Sequence, residues 1–514
     1  MIQSVAPSID ESRVDSQTLL HRSTYVIVSA LILLGGSCIR FYHLANRSLW
    51  YDEAVTANIS RGSFAQMLAL TRNVSAPIIH PFLLYLTEKL ARGAWIVRFP
   101  SVLASLAAVL TMLAMIRAKV SPWAALFAAA ILSFSASQVR YAQEVREYSL
   151  AVFFATFLIF CLFRYEDKSS TRHPFLLYVA LFLAPFIQYG LVLLAAAVLA
   201  TLLLRALLDH TLRSSIFPIV LGMAFFLAGG ILSYALTLRY QLRVKALGAQ
   251  SYLTTNYFDP KSEGVLHFLA SNTKQLLGFF IPSHHLVIAI ILVGVVVVSV
   301  DLWRGKVATL TLLLITSFTI TILASLRHLY PYGGVRQCLF LAPVLILFAG
   351  SAFADLLLVV RPSYRSVPAF VVLGILVVFG ARGIPRERTY SEIEDTQSLL
   401  RELAAASEPG DQVWVNHDAV DAFKFYLPGG DARFTYGKYH ANPNDYMPEL
   451  LASISPRTTR LWLAFSHLEQ SSDYAEEQLI LKTIPAEWKV EKRVSATNAD
   501  LFLALRKLSQ SPAK

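Results

Sequence analysis

The sequence predicts an α-helical polytopic membrane protein of about 11 transmembrane helices followed by a soluble C-terminal α/β domain. Three observations carry this reading. The chain is 55% hydrophobic and only 15% charged; apolar stretches long enough to cross a bilayer recur along it; and the last of them gives way to a polar tail. At 514 residues and a mean hydropathy of +0.52, such a chain needs lipid as part of its solvent.

A spanning helix must offer about 20 mostly apolar residues, because hydrocarbon satisfies no exposed backbone amide. Such stretches run roughly over 24–43, 98–116, 122–139, 147–164, 174–189, 190–208, 216–238, 282–303, 307–326, 337–360 and 366–381. The N-terminal segment 1–23 is polar and lacks the apolar core and cleavage site of a signal peptide, so the first span reads as a retained anchor. With the N-terminus inside, the cytoplasmic connections carry Arg117/Lys119, Arg164/Lys168/Arg172, Arg205/Arg213, Arg304/Lys306 and Arg361/Arg365, as the positive-inside rule expects. The net charge of +11 is therefore topology information, with no basic domain that would bind nucleic acid. Cys38, Cys161 and Cys338 lie in or beside apolar runs without a CxxC pair, which implies neither a disulfide framework nor a structural metal.

The outer connections differ in kind. They are a long first segment (44–97), a short one near 140–146, a long one over about 239–281, and one near 327–336. Asn-x-Ser sequons at Asn46, Asn58 and Asn73 fall in the first. The sequence thus divides into an inner tail (1–23), a membrane domain (24–385) and an outer-face α/β domain (386–514). In the last, strands are expected at DQVWVN, RLWLAFS and DLFLAL, with helices in SEIEDTQSLLRELAAA, near 419–426 and near 474–481. His417-Asp418 is its one suggestive pair and reads as surface or helix-cap chemistry.

Four polar groups stand out against this apolar background. Asp52 and Glu53 follow Leu49-Trp50-Tyr51, where acids also suit a helix N-terminus. His80-Pro81 opens an apolar stretch too short to span. Between spans three and four, SQVRYAQEVREYSL packs Gln138, Arg140, Gln143, Glu144, Arg146, Glu147 and Tyr148 together with almost no turn residues; a continuing helix would set Gln143, Arg146 and Glu147 on one face. Ionisable groups at a membrane boundary are costly unless paired or lining a polar cavity, so this cluster marks an internal site. RHLYPYGGVRQCLFLAP brings Arg327, His328, Tyr330, Tyr332 and Arg336 to the same side, with Gly333-Gly334 able to let backbone approach a ligand. Arginine suits phosphate, because its planar fork donates paired hydrogen bonds and stays charged.

Taken in order, LWYDEA, HPFLLYL, VRFPS, YAQEVREYSL and YPYGGVRQCLFLAP resemble the integral-membrane glycosyltransferases of the GT-C fold, in particular the bacterial branch of the dolichyl-phosphate-mannose protein mannosyltransferase-like superfamily. The resemblance covers about residues 24–390; Phe82 departs from it, where the family more often has a second proline. It implies a sugar donor carried on a polyprenyl phosphate, an acceptor hydroxyl on an envelope glycan, lipid or protein, and transfer on the non-cytoplasmic face of a bacterial inner membrane. By that resemblance Asp52 is the general base with Glu53 supporting it. Arg146 and Arg336 grip the departing phosphate, and His80, Gln143, Glu144, Tyr148 and Tyr330 complete the donor site. One displacement by the acceptor would invert the anomeric centre. Some such enzymes use a divalent metal, but no ligand set is legible here and none is assigned. A transporter of lipid-linked saccharide would show internal repeats and mid-membrane polar sites, and neither is seen. A polymerase of lipid-linked oligosaccharides shares the same cavity and donor, and the sequence separates it poorly.

Overall fold

The computed structural model describes residues 22–166, 173–208, 216–245, 251–281, 294, 308–386, 393–440, 442–468 and 471–507. The chain divides into two compact units, one of residues 1–42, 69–80 and 99–389 and the other of residues 43–68, 81–98 and 390–514.

The first unit is helical. Among the described residues, eight helices of the chain are long and apolar enough to cross a membrane: Arg22–Phe41, Ala94–Ala118, Tyr148–Glu166, Gly190–Leu208, Ile216–Arg243, Thr309–Leu326, Arg336–Val359 and Ser366–Pro385. Pro122–Phe134 and Ala136–Ala142 form a ninth candidate, bent by 60° at their junction, and Pro174–Ile187 is a shorter apolar helix. The expected span at 282–303 lies outside the described residues.

The bend corrects the sequence reading of 122–139 as one uninterrupted span. Ser135 takes extended backbone (φ −66°, ψ 130°), ending the first helix of the pair. A helix that stops inside an apolar protein leaves its last carbonyls without partners, and each must find a donor. Arg40, wholly buried on the first helix, supplies them: its guanidinium donates to Ser133 O at 2.7 Å, Leu132 O at 3.1 Å and Gly36 O at 3.1 Å, and to Ser105 Oγ at 2.8 Å. Gln143, beyond the bend, returns the service by donating to Arg40 O at 2.9 Å and Tyr42 O at 2.7 Å where the first helix ends.

The helix 122–134 is the centre of this unit, with every residue from Trp123 to Phe134 buried. The helix Ala342–Leu356 packs directly on it because Gly350 has no side chain; a Cβ there would lie 2.6 Å from Ala124 O. At one end of the unit the basic connections meet. Arg164 donates to Arg117 O, and Glu166 takes Arg205 at 3.5 Å and the Thr309 hydroxyl at 2.6 Å.

The second unit carries a five-stranded sheet in the order β2-β1-β3-β5-β4, with β1 (Gln412–Val415), β2 (Phe434–Tyr436), β3 (Arg460–Ser466), β4 (Trp488–Ala496) and β5 (Ala499–Arg506). Strand β1 is parallel to β2 and β3, while β5 is antiparallel to β3 and β4. The three expected strands are β1, β3 and β5. Strand β4 escapes a search for apolar alternation because it is an edge strand with mostly exposed side chains (Lys489, Glu491, Lys492), which keep an open edge from pairing with other chains. The tail's first helix begins at Thr396, where the Asp395 side chain accepts from Ser398 N at 3.1 Å.

The Arg40 contacts predict that Arg40→Leu, which keeps the volume and removes every donor, strands two buried carbonyls. It should cost on the order of 3 kcal/mol or more and lower the thermal unfolding midpoint in detergent. An unchanged midpoint would show that the bend is capped by other means.

Candidate active site

Residues 143–147 do not continue the helix. The helix Ala136–Ala142 stops at Gln143 and the next starts at Tyr148, so the expected i, i+3, i+4 alignment of Gln143, Arg146 and Glu147 does not form. The compact turn instead pairs neighbours, Arg146 with Glu147 at 3.4 Å and Arg140 with Glu144 at 3.3 Å. Gln143, Glu144 and Glu147 are buried, and Ser101 Oγ ties the turn down by donating to Arg146 O at 3.3 Å.

Tyr148 is where the sequence-expected residues come together. Its buried ring has the Arg146 guanidinium 5.7 Å from its centroid and the Arg336 guanidinium also at 5.7 Å, so arginines far apart in sequence converge on one aromatic ring. Tyr141 meets the same ring edge-on at 5.3 Å. Tyr330 donates to Gln337 O at 2.9 Å, as does the Gln188 amide at 3.1 Å, which fixes the backbone just after Arg336. Burial, with Cys338, Tyr148 and Glu147 nearby, holds the Tyr330 hydroxyl far above its usual range, so it remains a donor.

His80 is 1% exposed, and among the described residues neither ring nitrogen has a hydrogen-bond partner. Burial first, and the charge of Arg146 second, push its pKa down to about 3. It is therefore a neutral imidazole at any ordinary pH, close enough to Arg146 to feel its charge. The cluster sets three guanidiniums (Arg140, Arg146, Arg336) against two carboxylates (Glu144, Glu147), an excess of one positive charge beside a neutral histidine. Such an arrangement suits an anion.

The glycines after Pro331 have another use than the one expected. Gly333 has φ +144°, and a Cβ there would lie 2.5 Å from Asn256 Nδ2 and 2.6 Å from Asn272 Oδ1; at Gly334 it would lie 2.7 Å from Gln275 O. The close approach is to the protein's own helix Val265–Phe280 and the segment before it. His328 belongs to the same packing, stacked on Tyr257 at 5.6 Å and bonded to Phe258 O at 2.7 Å.

In the second unit the two adjacent acids have different surroundings. Both lie in the first turn of the helix Tyr51–Ser60, whose N-terminal field favours negative charge. Glu53 is wholly buried and held bidentately by Arg98, at 3.0 Å from Nε and 2.7 Å from Nη2. The same guanidinium donates to Leu44 O, Arg47 O and Ser48 O at 2.9 to 3.0 Å. Glu53 thus anchors the start of the segment 44–97, whereas Asp52 is the partly exposed acid of the pair.

The tail contributes residues that sequence reasoning did not single out. Glu394 accepts from Tyr51 N at 2.9 Å, capping the helix that bears Asp52, and also pairs with His467, whose ring lies 4.9 Å from Tyr51. Arg98 was visible as part of VRFPS, but nothing local revealed its partner 45 positions earlier.

Known proteins give two kinds of likeness. Residues 75–234 match the family described as dolichyl-phosphate-mannose-protein mannosyltransferase. No curated protein matches the sequence. Among solved structures, ArnT from Cupriavidus metallidurans bound to undecaprenyl phosphate superposes with a TM-score of 0.56 at 12% identity, covering 95% of this chain and 99% of that one. The archaeal oligosaccharyltransferase AglB from Archaeoglobus fulgidus, in complex with an inhibitory peptide and a dolichol-phosphate, gives 0.52 at 10% identity over 95% of this chain and 75% of that one.

Two predictions follow from the geometry. Arg98→Ala leaves Glu53 buried without its cation and should cost about 3–5 kcal/mol, with Arg98→Lys failing to restore the midpoint because an ammonium cannot reproduce the fork; full rescue by Lys would refute the bidentate role. For His80, the unfolded chain takes up a proton below about 6.5 while the folded chain does so only near 3. Stability should therefore fall as pH drops through that window, and His80→Asn should flatten the slope measured by thermal unfolding from pH 7 to 4.

Proposed function

We propose that this protein is a glycosyltransferase of the GT-C, mannosyltransferase-like kind, which transfers a sugar from a polyprenyl-phosphate donor to an acceptor hydroxyl on the non-cytoplasmic face of a bacterial inner membrane. The observation that carries this reading is the convergence of Arg146 and Arg336 on Tyr148, within a cluster of net positive charge at a membrane-helix boundary. The polyprenyl phosphates recorded with ArnT and AglB support a lipid-phosphate donor.

In this mechanism the acceptor oxygen attacks the anomeric carbon as the bond from that carbon to the lipid phosphate breaks, and the bonding pair leaves with the phosphate oxygen. The negative charge developing there is stabilised by Arg146 and Arg336, fixed donors that need no reorganisation as the charge forms. The acceptor proton passes to Asp52 as general base; Glu53, committed to Arg98, supports it by fixing the helix that carries it. His80 and Tyr330 offer uncharged hydrogen-bonding groups to the donor, while Gln143, Glu144 and Tyr148 hold the arginine-bearing turn. A single displacement inverts the anomeric centre. The basic connections gathered at one end of the helical unit support an inside N-terminus, with the soluble domain (386–514) outside.

The test is transfer by purified full-length protein in lipid, with a panel of radiolabelled polyprenyl-phosphate sugars. Asp52→Asn should lower turnover about 10²–10⁴-fold with donor binding retained, Arg336→Ala should lower it about 10²-fold, and the product should carry the inverted linkage. Unchanged turnover in Asp52→Asn removes that residue from catalysis. Movement of lipid-linked sugar across the bilayer without consumption would make the protein a transporter.

A further inference from the structure

The topology of the C-terminal sheet directs attention to one edge. From β1 the chain crosses to β2 on one side and then returns past β1 to β3 on the other, so the order reverses between β1 and β3. In open α/β sheets that reversal opens a crevice beyond the carboxyl ends of the strands, the usual place for a ligand.

Three ligand-type side chains meet there. His417 and Asp418 follow the end of β1, and Glu476 lies on the helix Ser471–Thr483 that follows β3. The sequence reading of His417-Asp418 as surface chemistry is corrected: Asp418 is 9% exposed and Glu476 8%. His417 Nε2 lies 3.1 Å from Asp418 Oδ2 and its Nδ1 lies 3.7 Å from Glu476 Oε2; one ligand atom from each residue falls within 4.8 Å of the others.

We propose that His417, Asp418 and Glu476 form a binding site for one divalent transition-metal ion of the zinc class. One imidazole nitrogen with two carboxylate oxygens suits zinc or cobalt, whereas magnesium and calcium prefer oxygen alone. A neutral imidazole and two carboxylates carry a charge of −2, which a divalent ion cancels in a place too buried to leave it to solvent. Metal bonds of about 2.0–2.2 Å set ligand atoms roughly 3.4 Å apart in a tetrahedron, so the set closes slightly on loading, His417 committing one nitrogen to the ion. The outer shell is in place: Tyr446, wholly buried, stacks on His417 at 5.6 Å and donates to His440 O at 3.3 Å, Tyr439 meets the ring edge-on at 5.5 Å, and Asp418 N donates to Asn416 Oδ1 at 3.1 Å. With three protein ligands, one position remains for water or for an oxygen of a bound molecule.

This site is independent of the proposed transfer reaction, and so is its test. Tag-free full-length protein in detergent is stripped with chelator and titrated with Zn²⁺ or Co²⁺, with stoichiometry read by elemental analysis and coordination by X-ray absorption of the cobalt form. The expected result is one ion per chain, bound through one imidazole and oxygen ligands. His417→Ala and Glu476→Gln should each weaken binding by more than about 100-fold. No stoichiometric uptake by the wild type, a coordination shell without imidazole, or equal binding by folded His417→Ala would overturn the proposal; the first outcome would make His417 a protonated clamp between two acids.

Discussion

The reciprocal capping between the first membrane helix and the broken helix beside it sets the frame on which the candidate site is built. Apolar surroundings make unpaired carbonyls expensive, so a helix can stop there only if a donor is delivered to its end. Arg40 delivers two such bonds, to Ser133 O and Leu132 O, and Gln143 delivers its amide to the end of the helix that carries Arg40. Each helix end is closed by a side chain from the other partner. The bend this permits ends the short helix at Ala142 and lets the turn 143–147 present Arg146 beside Tyr148.

That frame also explains how residues read as one cluster in sequence divide their work. Gln143 bonds backbone and holds the turn, while Arg146 and Arg336 face a shared ring. Asp52 and Glu53 divide in the same way. Adjacent on one helix turn, they point in different directions, so that Glu53 meets the buried fork of Arg98 and Asp52 stays partly exposed. A neighbouring pair of acids is therefore one wholly buried, arginine-bound carboxylate and one partly exposed, a distinction set by what packs opposite each side chain.

The sequence made the membrane helices, the basic side of the protein and the polar boundary clusters legible, because hydropathy and charge are local properties. What it hid were facts decided by distant partners. The break at Ser135 carries no proline or glycine to announce it, and its caps come from Arg40 on another helix. Gly333 and Gly334 looked like a ligand approach, but their crowding neighbours are Asn256, Asn272 and Gln275, which no local pattern joins to them. Glu394 and His467 lie in the polar tail among many similar residues, and only the fold brings them to Tyr51. His417-Asp418 was visible as a pair, while Glu476, which turns it into a ligand set, is on a helix beyond β3.

The neutral state of His80 bears on the chemistry the arginine cluster can support. Burial first, and then repulsion from Arg146, drive its pKa down, because a protonated imidazole would add a charge next to that guanidinium out of reach of solvent. The cluster's positive excess is then fixed by groups that do not titrate near neutrality, since guanidiniums keep their protons and His80 does not gain one. A neutral imidazole also carries both a donor and an acceptor nitrogen, so it can recognise a sugar hydroxyl in either sense. In the proposed reaction, charge for an anionic phosphate and uncharged polarity for a sugar are separate demands; the arginines beside Tyr148 suit the first, and His80 and Tyr330 the second.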